Sequence, residues 1–178
     1  MRGLLMKYVP NILTVIRLLL VPLFAIVYFS GASRGHLIAL IIFLVASFTD
    51  FLDGYLARKY QSISKIGTVL DPLADKLMLL TALGSLAIDY AIPFVIFYLF
   101  LAKEIFMILA GAILWYRKER MVIASSLPGK AATALSMLMV ILLIIYPHNS
   151  ILVGGLIVAF ALKLIALLTY VKVYKAKA

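Results

Sequence analysis

Residues 50–76 read DFLDGYLARKYQSISKIGTVLDPLADK and connect two apolar segments of the chain. The stretch contains four of the seven acidic residues of the protein, arranged as two pairs, Asp50 with Asp53 and Asp71 with Asp75. The whole chain is 66% hydrophobic and only 13% charged, which is outside the range of soluble globular domains. The composition therefore predicts a membrane protein, in which ionised side chains are costly and mark functional sites.

Apolar runs of about 20 residues, the length needed to cross a bilayer core, recur on both sides of this stretch. They predict an all-α integral membrane protein with six transmembrane helices, at residues 11–29, 37–57, 67–88, 91–116, 129–146 and 151–174. Residues 1–10 combine two cations with apolar side chains, which is typical of a short N-terminal interfacial helix. We expect residues 1–178 to form a single domain, in which this segment precedes a six-helix bundle at residues 11–174. Cysteine is absent, which excludes disulfides and thiolate chemistry.

The basic residues orient the predicted bundle, because the side of a membrane protein that is richer in Lys and Arg faces the cytoplasm. Only Arg34 falls in a loop on the poorer side, so both termini and the acidic stretch are expected to be cytoplasmic. The cations on the richer side are Arg2, Lys7, Arg17, Arg58, Lys59, Lys65, Lys76, Arg117, Lys118, Arg120, Lys130, Lys172, Lys175 and Lys177. They lie at helix ends rather than on one soluble face, which favours lipid headgroups as partners and argues against nucleic acid.

Helical spacing places the acidic residues of each pair on one face, since a helix advances about 100° per residue. One such face carries Asp50, Asp53, Gly54 and Ala57, and the next carries Gly67, Asp71 and Asp75. Two antiparallel neighbouring helices can therefore point four carboxylates at one place. Four close carboxylates repel one another and require a cationic partner. Oxygen ligands without nearby His or Cys favour two Mg²⁺ or Mn²⁺ ions over zinc.

The residues between the aspartates predict what the metal site binds. Gly54 and Ala57 leave room for a ligand to approach the backbone, and Arg58 offers a planar fork suited to phosphate oxygens. A metal-bound diphosphate is the chemistry that this combination favours. Two alternatives remain open from the residues alone: the aspartates can form ion pairs with nearby lysines and arginines, or they can serve a small ion or proton transporter.

The residues Asp50, Asp53-Gly54, Ala57-Arg58, Gly67, Asp71 and Asp75 match the pattern D-x2-D-G-x2-A-R-x8-G-x3-D-x3-D at every position. On this motif, the chain resembles the CDP-alcohol phosphotransferases along its whole length. The resemblance implies six transmembrane helices, often preceded by an amphipathic one, a site that opens to the cytoplasm, and a homodimer. The implied enzyme transfers a phosphatidyl or similar group from a CDP-linked donor to an alcohol and releases CMP, with two bound divalent cations.

The resemblance also implies roles for individual residues. Asp50, Asp53 and Asp71 would hold one metal ion, and Asp50, Asp71 and Asp75 the other. Asp75 would also be the catalytic base that takes the proton of the acceptor hydroxyl. The residues expected to contact the donor, CDP-diacylglycerol, are Asn11, Thr14, Gly54, Ala57, Arg58, Ser64 and Gly67.

Within the family, Pro10-Asn11-x-Leu13-Thr14-x-x-Arg17 and Asp71-Pro72-Leu73-Ala74-Asp75-Lys76 resemble the branch that makes phosphatidylglycerophosphate in the cytoplasmic (inner) membrane of bacteria. We therefore expect glycerol 3-phosphate as the acceptor. The residues predicted to bind its phosphate are Arg17, Lys103, Arg117 and Lys130.

Two departures from that branch keep other acceptors open, namely phosphatidylglycerol (giving cardiolipin), inositol phosphate or serine. Lys103 stands where the related synthases usually have arginine, and Ala132 replaces the second lysine of a G-K-x-K-T segment. Each predicted phosphate contact also has a plainer interpretation. Arg17 can snorkel to the headgroups, Lys103 can pair with Glu104, and the cations after residue 116 can be a topogenic loop.

Overall fold

The computed structural model describes the backbone of residues 2–60, 67–116 and 127–175, and the side chains of residues 12–50, 73–111 and 127–169. Every regular element in these ranges is an α-helix, as the sequence predicted. A helix satisfies all of its own backbone hydrogen bonds, which an apolar segment in lipid requires. The six helices are α1 (Arg2–Tyr28), α2 (Gly35–Tyr60), α3 (Gly67–Ile88), α4 (Phe94–Tyr116), α5 (Leu127–Ile145) and α6 (Ser150–Lys175).

The first helix differs from the prediction at its start. A separate interfacial helix at residues 1–10 was expected, but α1 runs without a break from Arg2 to Tyr28 and passes through Pro10. Proline removes one backbone donor from a helix, and helices of membrane proteins tolerate that loss better than soluble ones. The predicted boundary is therefore not a break in the helix.

The turn before α4 is longer than predicted. Tyr90 has a positive φ of 58°, and the backbone N–H groups of Ala91 and Ile92 both donate to the carbonyl of Leu86, at 2.9 and 3.3 Å. Such a left-handed residue satisfies the last carbonyls of the preceding helix. The chain then needs the residues up to Pro93 for the turn, so α4 begins at Phe94 instead of residue 91.

The start of α6 is capped by a side chain. The Oδ1 atom of Asn149 accepts hydrogen bonds from the backbone N–H groups of Ile151 and Leu152, at 3.0 and 3.3 Å. A capping asparagine satisfies N–H groups that have no partner within the helix. His148 precedes this cap in an exposed turn, which confirms the predicted loop between α5 and α6.

Residues 1–85 form one compact unit, in which α1 packs against α2. The core between these helices is aromatic and alanine-rich. The ring of Phe24 lies 5.7 Å from that of Tyr28 and 6.2 Å from that of Phe43, and Ala39 and Ala46 are fully buried beside them. Small residues at the interface let two helix backbones approach closely, which is the main source of packing energy in a membrane.

Residues 86–178 form a second compact unit. Its α5 packs against α6, and α4 contacts α6 through the rings of Phe100 and Phe160, whose centroids are 5.3 Å apart. Leu143 and Leu156 are fully buried in this unit.

Among the described residues, three helices are long and apolar enough to cross a membrane, at Phe94–Gly111, Leu127–Ile145 and Ser150–Thr169. Shorter apolar stretches lie in α1 and α2. Large apolar side chains are exposed along these helices, for example Leu168 at 61%. Soluble monomers rarely expose contiguous apolar surface of this kind, whereas a bilayer covers it. The protein is therefore a multi-pass membrane protein.

Gly155 on α6 provides a test of the packing between α5 and α6. A methyl group added at Gly155 would overlap the Sδ atom of Met139 and lie 3.0 Å from its Cγ, whereas one at Gly154 would meet no atom within 4 Å. Because both positions are helical, alanine improves helix propensity equally at each. We expect Gly155→Ala to be about 1 kcal/mol less stable than Gly154→Ala, because the flexible side chain of Met139 must leave its rotamer to make room.

Unfolding of the purified protein in detergent measures this difference. In a Met139→Ala background, Gly155→Ala should cost less than it does in the wild type, because the overlapping atoms are absent. Equal stability of Gly154→Ala and Gly155→Ala would contradict this prediction and would show that Met139 moves aside without cost.

Candidate active site

Within the first unit, the structure pairs a charged residue of α1 with one of α2, both in the interior of their helices. The Nη1 atom of Arg17 lies 2.8 Å from the Oδ1 atom of Asp50. The side chain of Arg17 is only 1% exposed, whereas that of Asp50 is 38% exposed. The snorkelling interpretation of Arg17 is therefore wrong: its charge is met inside the protein by a carboxylate of the neighbouring helix.

The face of α1 that is buried in the first unit is polar at one end and aromatic at the other. Thr14 and Arg17 are both 1% exposed, and Phe24 and Tyr28 continue the same buried face two turns later. This spacing follows the helical repeat, so one face of α1 carries both kinds of residue. Thr14, predicted to contact the donor, thus lies inside the protein on the same face as Arg17.

Asp75 lies on α3, which belongs to the first unit up to Ser85. Its side chain is half-buried, between the buried residues Ala74 and Met78 of the same helix. A carboxylate in such a position keeps access to a ligand while the helix that carries it is held by packing. This environment is compatible with the predicted roles of metal ligand and base.

The remaining predicted residues of the motif lie on α2 and α3, with side chains outside the described residues. α2 continues without a break from Asp53 through Arg58, and α3 begins at Gly67. The helical backbone on which the prediction depends is therefore confirmed at these positions, whereas the shared faces and the convergence of the four carboxylates stay predictions. The residues concerned are Asp53, Gly54, Ala57, Arg58, Gly67 and Asp71.

The structure describes only the backbone of one further predicted residue and no part of two others. Asn11 lies on α1, with its side chain outside the described residues. Ser64 and Arg117 lie outside the described residues altogether. Their assignment to donor and acceptor binding rests on the sequence.

The described part of the predicted metal site fits a hard divalent cation. Asp50 and Asp75 offer only carboxylate oxygens, the ligand type that Mg²⁺ and Mn²⁺ prefer. A carboxylate has two oxygens with about four lone-pair sites, so Asp50 can form an ion pair with Arg17 and still coordinate a metal.

The second unit contains an ion pair that the sequence anticipated. The Nζ atom of Lys103 lies 2.8 Å from the Oε1 atom of Glu104, and the two side chains are 15% and 8% exposed. The interpretation of Lys103 as a partner of Glu104 is confirmed. A phosphate group that binds Lys103 must compete with this carboxylate.

A second buried cation lies close to that pair, and its role was not predicted. Lys163 on α6 is nearly fully buried, and its Nζ atom lies 5.6 Å from the ring centroid of Phe100, within the range of a cation–π contact. Phe100 and Glu104 are one turn apart on α4, so Lys163 lies beside the part of α4 that carries the acidic residue. The signal available in the sequence was a lysine in the middle of an apolar span.

Lys130 has a different environment from the other predicted phosphate contacts. It is exposed in the first turn of α5, where the hydroxyl of Thr133 donates to the carbonyl of Gly129 at 3.1 Å. An exposed cation near a helix N-terminus lies in a positive local potential, which favours anions.

The six helices, with acidic residues paired along the sequences of α2 and α3, are those of a multi-pass helical membrane protein. The chain belongs to the CDP-alcohol phosphatidyltransferase family, whose model matches residues 7–171. The family predicted from the motif in residues 50–75 is thereby confirmed.

Individual relatives match over shorter segments. The chain is 43% identical over 79 residues to a CDP-diacylglycerol--glycerol-3-phosphate 3-phosphatidyltransferase of Haemophilus influenzae, covering 44% of this chain and 43% of the relative. It is 40% identical over 73 residues to the protein of the same name from Rickettsia typhi, covering 41% of each chain. The matches therefore span about two fifths of the length of these relatives.

A relative with a different name is also similar to this chain. A cardiolipin synthase (CMP-forming) / mitochondrial hydrolase fusion protein of Schizosaccharomyces pombe is 39% identical over 108 residues, which is 61% of this chain and 18% of that protein.

Proposed function

We propose that this protein transfers a phosphatidyl group from CDP-diacylglycerol to glycerol 3-phosphate, giving phosphatidylglycerophosphate and CMP. The observation that carries the proposal is the eight-residue motif from Asp50 to Asp75, placed on two successive helices of a chain that matches the family over residues 7–171. The names of the relatives from Haemophilus influenzae and Rickettsia typhi support both substrates.

Two divalent cations, Mg²⁺ or Mn²⁺, are part of the proposal. Asp50, Asp53, Asp71 and Asp75 would hold them, and the bound ions would polarise the phosphoryl group and stabilise the leaving CMP. The hard oxygen donors of Asp50 and Asp75 support this choice of metal.

The chain's own residues supply the remaining steps. Asp75 takes the proton of the acceptor hydroxyl, whose oxygen attacks the lipid-side phosphorus as the bond to CMP breaks. Gly54 and Ala57 make room for the cytidine, and Arg58 and the hydroxyl of Ser64 bind the diphosphate. Further donor contacts come from Asn11, Thr14 and Gly67.

The acceptor phosphate requires cationic partners, which we assign to Lys130 and Arg117. Lys130 is exposed, which supports its access to a small anion. Lys103 and Arg17 already face carboxylates, which supports assigning the acceptor phosphate to Lys130 and Arg117 instead.

The proposed setting is the cytoplasmic membrane of a bacterium. All six helices would span it, with both termini and the carboxylate site on the cytoplasmic side, because the loops there carry most of the Lys and Arg. The proposed assembly is a homodimer.

A second acceptor is favoured by one observation. The similarity to a cardiolipin synthase over 61% of this chain supports phosphatidylglycerol as an alternative to glycerol 3-phosphate. The donor, the released CMP and the chemistry at Asp75 are the same in both reactions.

An assay with purified protein tests these proposals. With Mg²⁺ or Mn²⁺, CDP-diacylglycerol and glycerol 3-phosphate, we expect equal amounts of CMP and phosphatidylglycerophosphate, and no product after removal of divalent cations with EDTA. Parallel reactions contain phosphatidylglycerol, inositol phosphate or serine, with the lipid product identified by mass spectrometry. If no acceptor leads to CMP release and the protein conducts ions in proteoliposomes, a transporter would be supported instead.

A further inference from the structure

The ion pair between Arg17 and Asp50 is unequal in exposure. The guanidinium of Arg17 is 1% exposed, whereas the carboxylate of Asp50, 2.8 Å away, is 38% exposed. The cation therefore approaches Asp50 from the interior of the first unit, and the carboxylate keeps an accessible side.

A buried arginine is costly unless its charge is paired and its donors are used. The guanidinium is rigid and planar, so it confines the carboxylate that it pairs with more strictly than the mobile ammonium of a lysine does. Two turns away from this pair, α1 and α2 pack together around Phe24 and Phe43, which fixes the two helix backbones relative to each other.

We propose that Arg17 is a positioning residue, whose guanidinium holds Oδ1 of Asp50 and thereby presents the Asp50 carboxylate to a divalent cation. This inference rests on the metal site of the proposed function. It replaces the acceptor-phosphate role predicted for Arg17 from the sequence. A phosphate would have to reach a side chain that is almost fully buried and displace a carboxylate at 2.8 Å.

Two effects of removing Arg17 act in opposite directions. Loss of the fork frees Asp50 to rotate, which weakens metal binding, whereas loss of the positive charge removes a repulsion from the metal. Removal of a group that orients a metal ligand costs roughly 10–100-fold in affinity or activity in known sites. We therefore expect the loss of orientation to dominate.

A titration with Mn²⁺ tests the proposal. The purified protein is used without lipid substrates, and electron paramagnetic resonance measures the free ion. Arg17→Met should raise the Kd for Mn²⁺ about 10–100-fold, and Arg17→Lys, which keeps the charge but loses the fork, should raise it less. Arg34→Met is the matched control, since Arg34 is exposed in the turn before α2, and it should bind Mn²⁺ like the wild type. Thermal unfolding of each variant checks its fold, and Arg17→Lys carries the test if Arg17→Met does not fold.

Other outcomes separate the possible roles of Arg17. Unchanged or tighter Mn²⁺ binding with a raised KM for glycerol 3-phosphate overturns the proposal in favour of an acceptor contact. A lower melting temperature with an unchanged Kd for Mn²⁺ overturns it in favour of a purely structural ion pair.

The wild type distinguishes failure of this inference from failure of the proposed function. Wild-type protein that releases CMP but binds no Mn²⁺ overturns both the metal site and the positioning role. Weaker Mn²⁺ binding by the Arg17 variants supports the positioning role even if no tested acceptor yields CMP, an outcome that would overturn only the proposed reaction.

Discussion

Asp75→Asn is expected to lower kcat for CMP release about 10²–10⁴-fold, the usual contribution of a general base. Asparagine has nearly the same shape as aspartate, but its amide cannot take a proton from the acceptor hydroxyl. It also replaces one oxygen of a predicted metal ligand by an NH₂ group. Binding of the donor should remain largely intact, because the diphosphate and cytidine contacts are assigned to other residues.

Rates of CMP release and binding of a soluble cytidine nucleotide measure the two parts of this prediction separately. Asp89→Asn is the matched control, since Asp89 is an exposed aspartate in the turn after α3, and it should behave like the wild type. Near-normal turnover of Asp75→Asn would remove Asp75 from the role of base. Loss of nucleotide binding together with turnover would show that Asp75 acts mainly through the donor site.

Gly54→Leu is expected to weaken donor binding by about 100-fold or more. A leucine side chain placed in a groove that must admit the cytidine creates overpacking of about 3 kcal/mol, and each 1.4 kcal/mol corresponds to a factor of ten in affinity. Gly54→Ala should have a smaller effect, because a methyl group fills less of the groove. The helix itself should be preserved, since leucine is a better helix former than glycine.

The matched control for this prediction is Gly111→Leu. Gly111 lies at an exposed position on α4, and a methyl group added there would have no atom within 4 Å, so the first carbon of a leucine side chain meets no clash. Binding of a cytidine nucleotide by Gly54→Leu at wild-type affinity would contradict the groove. Loss of binding by both glycine variants, with lowered melting temperatures, would point to a general effect on folding.

The two substitutions divide the proposed reaction into chemistry and binding. A defect confined to kcat in Asp75→Asn is expected of a catalytic base. A defect in donor affinity in Gly54→Leu is expected of a binding groove. One effect common to both variants would instead favour the alternative that the aspartates serve as structural ion pairs.

The helices could be predicted from the sequence because apolar length and helical periodicity are local properties. α3 coincides with its predicted span, and α2, α5 and α6 differ from theirs by only a few residues at each end. The two errors concern helix boundaries, one where the helix continues past the predicted boundary and one where a turn delays the helix start. The helix α1 passes through Pro10, and the left-handed Tyr90 with Pro93 delays the start of α4.

The site could be predicted in part for the same reason. The motif of paired aspartates is contained in 26 consecutive positions, from Asp50 to Asp75, so it can be recognised without knowledge of the tertiary structure. The ion pair between Lys103 and Glu104 joins adjacent residues and was likewise anticipated. Both are short-range features of one or two neighbouring helices.

The sequence by itself determined the helical membrane class, the family and the positions of the acidic residues on α2 and α3. Only the tertiary structure decided which side chains the buried cations contact. Arg17 faces Asp50 from within the protein, and Lys163 lies over the ring of Phe100. These pairs join residues that are more than 30 positions apart, and they depend on the rotation of each helix about its axis. That rotation is set by packing at contacts such as Phe24 with Phe43, which no local pattern specifies.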